Sequence, residues 1–552
     1  MSARTIRRTV LATEAGCLSR LPVSRELAGD RRGWRFAAPL ELPRRATDGS
    51  LNIDGTELGR VAFPAPAARS MVSPTPSPSA SVWTPEPRRS LGIVAAIAFV
   101  VRIAVALGAG NRFPPAHDGV RYFALAARLA EGQGYTWVWP NGSVTPVAHY
   151  PIGYPALLAS TFHVLGATPR SASLLNAALG TAVTACVFVA VAAVASHRAA
   201  RIAGLGVALH PGLVVFTPCI MSEGAFTAAL SVAAVAAIRA ACRRDGRLPW
   251  IARGLAGLAL GGAILVRPQA VLFVPVFAWI AASGVTSRAR RLVVIAVVSV
   301  LAIGVCVPWT VRNGRVLGRY ALVSMNGGWN LLIGAQPGAT GGWQAVRVPP
   351  SCEGVFGEAE TDRCFGVEAT RFIVRAPLRW ILLARRKLAI TFDCGAIGGY
   401  YLFLSNRALF PWSAVLAAAG LETLVERAAL FACLVGEGRR PGAQKRLRTV
   451  AGFGGAAFLL TPAAWISVVA LAGMLVVNLS VTASDRQMPL RAAVATILWT
   501  TIATHAVFFG EPRFAFVTYP WVIALAAVHI ASTQWRHRLP ALLCLQPFPA
   551  RQ

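Results

Sequence analysis

Lysine is almost missing from this 552-residue chain: it stands only at 387 and 445, and arginine supplies the rest of the 54 basic residues. Acidic residues number only 23, and the charged share is 14%, where a soluble protein carries about 25%. So little polar surface cannot cover so large an apolar volume, which argues against a cytosolic enzyme. A hydrophobic share of 55% excludes disorder throughout. The early arginines are not followed by an apolar stretch, so no secretory signal peptide is read. Spacings for zinc or iron–sulfur ligation are lacking, and no GK[ST] ending completes a phosphate loop. Basic residues are not interleaved with aromatics, so the net charge of +31 does not point to nucleic acid. What remains is an all-α polytopic membrane protein.

Residues 1–89 hold 14 Arg and 8 Asp/Glu, and from Phe63 to Pro87 turn to Pro, Ser, Ala and Thr. Such a stretch builds no core and reads as a disordered cytosolic leader, with Met71 as an alternative start. Beyond it, a membrane span needs about 20 apolar residues. Runs of that kind lie at 91–109, 171–195, 202–218, 222–241, 250–266, 269–286, 292–310, 410–436, 449–463, 464–483, 491–509 and 516–533. That makes about 12 transmembrane helices: seven in a membrane half spanning 90–409 and five in a C-terminal group, 410–533. A cytosolic tail, 534–552, follows. The stretch 150–166 contains Pro151 and Pro155, and reads as a shorter interfacial or re-entrant helix.

With residues 1–90 in the cytosol, the short inner loops hold sixteen basic residues, Arg439, Arg440, Arg448, Arg486 and Arg491 among them. The short outer loops hold only Arg267 and Arg513. That bias sets both termini in the cytosol of a cytoplasmic-membrane protein and two long loops, 110–170 and 311–409, outside. Most of the basic charge is then topological. The two exceptions matter more, each beside a proline at an outer span end. They read either as snorkelling side chains or as ligands for a phosphate, whose oxyanions suit a bidentate guanidinium.

Two acids share that face. Asp118 precedes a helical pattern ending at Gly132, and reads as its N-cap or as a general base at the membrane surface. Glu223, in MSEGAF, reads as a helix-capping residue with Ser222 or as part of a site. His149 and Tyr150 stand where the first loop returns to the membrane; they either line a sugar site or pack the loop. His505 reads as a helix–helix hydrogen bond. In the second loop, Cys352 and Cys364 flank an acidic stretch and read either as a disulfide or as two free thiols. Six glycines over 327–342 permit turns and close backbone approach. The stretch 367–392 reads as an amphipathic helix on the outer leaflet.

Taken in order, RYFALAARLAEGQGY after Asp118, YPIGYPALLA, LLNAALGTAV, MSEGAF, ILVRPQA, PWTVRN, SMNGGWNLLIGAQPGATGGW and HAVFFGEPRFAFVTYPWVIALAA form a set. It resembles the bacterial membrane glycosyltransferases of family 39 and their GT-C relatives, which include protein O-mannosyltransferases and lipid A aminoarabinose transferases. The resemblance covers about 90–343 and 500–530. It implies a GT-C-like fold and a sugar donor carried on polyprenyl phosphate. It also implies transfer to an acceptor hydroxyl outside the membrane. Asp118 matches the family's base. Gly119 stands where an Asp-Glu pair would put Glu, and Tyr150 precedes Pro151 where aminoarabinose transferases carry Lys-Pro-Pro. Both departures weigh against either named activity.

The expectation is therefore an inverting transfer, with Asp118 as base and Arg267 and Arg513 on the donor phosphate. Glu223, His149 and Tyr150 support them. No cofactor or metal is implied. The partners are the lipid-linked sugar, an acceptor of unassigned class and the bilayer. The competing readings are a flippase or transporter of lipid-linked sugars, an envelope polysaccharide polymerase and a structural membrane component. Transporters often show internal repeats and helices interrupted at the midplane, and no repeat is seen here.

Overall fold

The computed structural model describes residues 85–532 except 244–245, 394, 441–443 and 482–484. The leader lies outside the described residues apart from its last five, which open the first helix, and the tail lies outside them altogether. The helices run α1 (Pro85–Ala109), α2 (Asp118–Ala130), α3 (Gly153–Leu165), α4 (Pro169–Val194), α5 (His197–Ala208), α6 (Pro211–Val215), α7 (Glu223–Ala241) and α8 (Arg247–Val266). After a 3-10 turn, Pro268–Phe273, come α9 (Val274–Ala282), α10 (Arg288–Gly304), α11 (Val307–Leu317), α12 (Gly327–Ala335), α13 (Glu358–Arg375) and α14 (Pro377–Phe392). The chain continues through α15 (Ile397–Ser405), α16 (Trp412–Gly438), α17 (Lys445–Phe458), α18 (Trp465–Val481) and α19 (Met488–Val507), a further 3-10 turn, Pro512–Val517, and α20 (Tyr519–Ser532). Between α2 and α3 a small antiparallel hairpin pairs β1 (Thr136–Val138) with β2 (Val144–Pro146).

Among the described residues six helical stretches are long and apolar enough to span a membrane: α1, α4, α7, α8, α10 continued by α11, and α19. A seventh arises if α14 and α15, bent by 72°, form one broken span inside the loop expected over 311–409. The remaining expected spans are shorter, broken or charged. The run 202–218 breaks before Pro211, which lacks an amide hydrogen and pushes His210 to extended backbone. The freed carbonyls of Ala208 and Val207 accept hydrogen bonds from buried Arg102 at 2.9 and 3.0 Å. Prolines likewise divide 269–286 and split the amphipathic stretch at Ala376. The run at 449–463 gives only α17, while α16 carries Glu422, Glu426, Arg427 and Glu437.

The core sits around α7 and α19, whose apolar windows are 67% and 72% buried against 22% for α1. Threonines along α19 bond back to carbonyls four residues earlier (Thr496, Thr501), so their hydroxyls need no other partner inside the bundle. At the end of the bundle where α7 begins and α8 and α19 finish, α2, the hairpin, α3, α12 and α13 gather. Arg312 of α11 ties the hairpin base, donating to the Val147 and Tyr135 carbonyls at 2.8 and 3.0 Å.

Candidate active site

The capping reading of Asp118 is not met. His117 holds the N-cap position of α2, with φ at 50°, and makes no side-chain cap bond. Asp118 follows it, and its carboxylate is taken across the fold: Oδ2 by Arg513 Nη1 at 2.7 Å and Oδ1 by the Tyr150 hydroxyl at 3.1 Å. Gly119 lets α2 approach this closely. A Cβ there would lie 2.7 Å from the Ile220 carbonyl oxygen, so a glutamate cannot enter without displacing the helix that presents Asp118.

Glu223 starts α7, again without a side-chain cap from Ser222. Its Oε1 pairs with Arg267 Nη2 and lies 3.4 Å from Arg513 Nε, while its buried Oε2 has no hydrogen-bond partner among the described residues. Arg267 also donates from Nε and Nη2 to Ser222 Oγ, each at 3.2 Å, and Ser222 accepts from the Tyr122 hydroxyl at 3.3 Å. Both arginines reach the site because a following or preceding proline turns the chain at a helix end: Arg267 before the turn at Pro268, Arg513 just inside the turn at Pro512.

Sequence reasoning passed over Glu511. It grips Arg513 at two nitrogens, 2.9 Å from Nε and 2.8 Å from Nη2, and accepts from the Tyr401 hydroxyl at 3.0 Å. The EPRF motif held the signal, since Pro512 fixes the turn that brings residues 511 and 513 face to face. Tyr401 lies 110 residues away in sequence and had no such signal.

The cluster thus joins three carboxylates to two guanidiniums. Burial works to raise the Asp118 carboxyl, but the charge and hydrogen bond of Arg513, with Tyr150 and Arg267, hold it below its ordinary value. Burial raises Glu511 despite Arg513. Burial and neighbouring Asp118 raise the Tyr150 phenol, which therefore stays a donor. Asp118 keeps about a third of its side chain (32%) exposed, so a substrate can reach it. Beneath the arginines a narrow cleft is lined by Glu223, Phe226, Arg267, Thr504, His505 and Phe514.

His149 stands apart from this cluster, its ring packed edge-on between Tyr150 and Trp329 at centroid distances of 5.1 and 5.4 Å. Burial lowers its pKa. Among the described residues His505 has no hydrogen bond to another helix; its Nδ1 faces the Phe509 carbonyl at 3.1 Å and its ring stacks on Phe514 at 4.0 Å. Cys352 and Cys364 are disulfide-bonded, with Cα atoms 5.9 Å apart. The glycine-rich stretch packs backbone against backbone. Gly334 abuts the Phe508 carbonyl, and Gly342 bridges Gly510, whose amide donates to the Gly341 carbonyl at 2.8 Å. The second loop therefore braces the segment that carries Glu511 and Arg513. Among the described residues no group of three or more His, Cys, Asp or Glu is arranged to hold a metal ion.

Residues 149–311 match the family model described as dolichyl-phosphate-mannose-protein mannosyltransferase. The match takes in His149, Tyr150, Glu223 and Arg267, and supports over that stretch the resemblance drawn from the motifs. No curated protein sequence matches the chain. One similar solved structure is the oligosaccharyltransferase AglB from Archaeoglobus fulgidus, in complex with an inhibitory peptide and a dolichol-phosphate. It aligns with a TM-score of 0.41 and 16% identity over 81% of this chain and 50% of that one. Another is ArnT from Cupriavidus metallidurans bound to undecaprenyl phosphate, with a TM-score of 0.36 and 14% identity over 80% of this chain and 77% of that one. The chain spans about half the length of the archaeal structure it matches.

Proposed function

We propose that the chain is a membrane glycosyltransferase that moves a sugar from a polyprenyl-phosphate donor to an acceptor hydroxyl, inverting the anomeric centre. One observation carries the reading: a substrate-accessible carboxylate, Asp118, is paired with Arg513, which shares Glu223 with Arg267 from a distant part of the chain, and both arginines line a cleft. The acceptor oxygen attacks the anomeric carbon as its proton passes to Asp118. The bond from that carbon to the phosphate oxygen breaks on the opposite face, and lipid phosphate leaves. A single base suffices for such an inversion, whereas retention uses a close pair of carboxylates.

The resting ion pair makes Asp118 a poor base, because Arg513 stabilises its ionised form. A donor phosphate competes for the same guanidinium. Drawing Arg513 away from Asp118 strengthens the base only when donor is present. Arg513 and Arg267 then meet the charge that develops on the leaving phosphate. Glu511 and Glu223 hold the two guanidiniums in place.

The reading sets the site at the outer face of the cytoplasmic membrane with both termini in the cytosol, and rests there on the basic bias of the short loops. The transporter reading gains one observation, the break between α5 and α6. Arg102 caps the end of α5 at that break, which gives it a structural explanation.

The deciding experiment places purified full-length protein in liposomes with a panel of undecaprenyl-phosphate hexoses and pentoses and a cell-envelope fraction as acceptor. Release of undecaprenyl phosphate without an ion gradient supports transfer. Counterflow of the intact lipid-linked sugar without bond cleavage overturns it.

A further inference from the structure

Glu358 is the first residue of α13, in the second long loop, far in sequence from every residue assigned to the site. Its carboxylate reaches the first loop. Oε2 accepts from the backbone amides of Ala148 and His149, at 2.5 and 3.0 Å, across 210 and 209 residues. Those amides immediately precede Tyr150, whose hydroxyl holds Asp118. A second backbone tie runs the same way, since Met325 donates its amide to the Ala148 carbonyl at 2.9 Å.

α13 is itself fixed. Asp362, one turn on, accepts from the Gly328 amide at 2.7 Å and from Trp329 at 3.3 Å, and pairs with Arg319 at 3.3 Å. The Cys352–Cys364 bridge ties the approach to α13 to the helix. Burial raises the Glu358 carboxyl, against the two amides and Arg312, so the loop keeps a costly group where two backbone donors would otherwise be left buried.

We infer that Glu358 is a positioning residue: it fixes the backbone at 148–149 so that Tyr150 holds Asp118 in the orientation that transfer requires. It touches neither Asp118 nor the arginines and acts through Tyr150. The inference rests on the assignment of Asp118 above, and it adds that the second loop sets the geometry of a base carried by the first.

The test uses full-length protein in liposomes with whichever undecaprenyl-phosphate sugar the wild type turns over, together with hydrogen exchange at the 148–150 amides. Glu358→Ala should speed exchange there and lower kcat on the order of 10-fold, the effect of losing a charged hydrogen-bond acceptor, with donor KM unchanged. Glu358→Gln keeps an oxygen for both amides and should stay within about 3-fold of wild type, since only the charge assistance is lost. In the double variant Glu358→Ala with Tyr150→Phe, the second change should add little, because both act on one contact. Wild-type exchange in Glu358→Ala, or penalties that simply multiply, overturns the inference. If the wild type shows no transfer at all, the functional reading fails instead, and the exchange result alone decides whether Glu358 holds the loop.

Discussion

Two buried networks of arginines and carboxylates lie at opposite ends of this helical bundle, and they differ in what they leave open. At the far end, fully buried Glu437 of α16 meets Arg491 Nε at 2.8 Å and His529 Nε2 at 2.9 Å, and accepts from Asn478. Asp485 meets Arg440 and Arg491, each at 2.6 Å, and Arg448 donates to Asn478 at 3.1 Å. That network ties α16, α18, α19 and α20 together. At the Asp118 end the same residue types border a cleft, and the base stays partly exposed. Composition does not separate them. A sealed network stabilises a packing, and a network with one accessible carboxylate beside a cavity is equipped for chemistry.

Paired substitutions break this comparison most directly. Asp118→Asn should cut transfer by about 10²–10⁴-fold, the usual worth of a general base, while leaving insertion unchanged and costing far less stability than a change in the far network. Full activity in that variant would sink the base assignment. Glu437→Ala should do the reverse: it takes from buried Arg491 one of its two carboxylates and from Asn478 and His529 their shared partner, which costs about 3–5 kcal/mol, while turnover per folded molecule is kept. Activity and detergent melting curves on the same preparations read both. Next in size, Arg513→Lys keeps the charge but loses the two-pronged geometry, and should lower kcat about 10²-fold, as removal of a preorganised donor does.

Loop bias separates Arg267 and Arg513 from the other basic residues, and the structure joins both to Glu223 and Arg513 also to Asp118. The same bias read Arg440, Arg448 and Arg491 as loop charges that only fix topology. Arg491 is 3% exposed and Arg448 likewise 3%, because the helices fold their own ends over them. Apolar runs marked where helices lie, but prolines at 211, 268, 377 and 512 decide where they break, and run length alone does not register this. Glu358 and Tyr401 were illegible for a plainer reason: their partners are brought near only by the packing of two loops and a helix end.

Gly119→Ala sharpens the site side of the comparison. Its methyl meets the Ile220 carbonyl oxygen at 2.7 Å, so α2 must shift and carry Asp118 with it. Misplacing a catalytic group by about 1 Å costs on the order of 10²-fold, and a few tenths of an ångström should cost about 10-fold here, read as kcat at saturating donor. An unchanged kcat would mean that α2 slides without moving its carboxylate.

The smallest effect expected lies in pH dependence. In the free enzyme Arg513 and Tyr150 hold the Asp118 carboxyl below its ordinary value, against burial, so the acid limb of kcat/KM should fall below about pH 4, the unperturbed carboxyl range. If donor phosphate draws Arg513 away, the carboxyl regains protons more readily in the complex, and the acid limb of kcat should lie at higher pH than that of kcat/KM. Tyr150→Phe removes a donor to the ionised form and should raise both limbs. Linkage fixes the sign for stability. A carboxyl with a depressed folded value contributes fully above its unfolded value and loses that contribution as pH falls through the folded one. Wild type should therefore lose melting temperature on acidification more steeply than Asp118→Asn. Coincident acid limbs for kcat and kcat/KM would show that Arg513 stays on Asp118 throughout, and would leave the arginine as a structural partner like those at the far end.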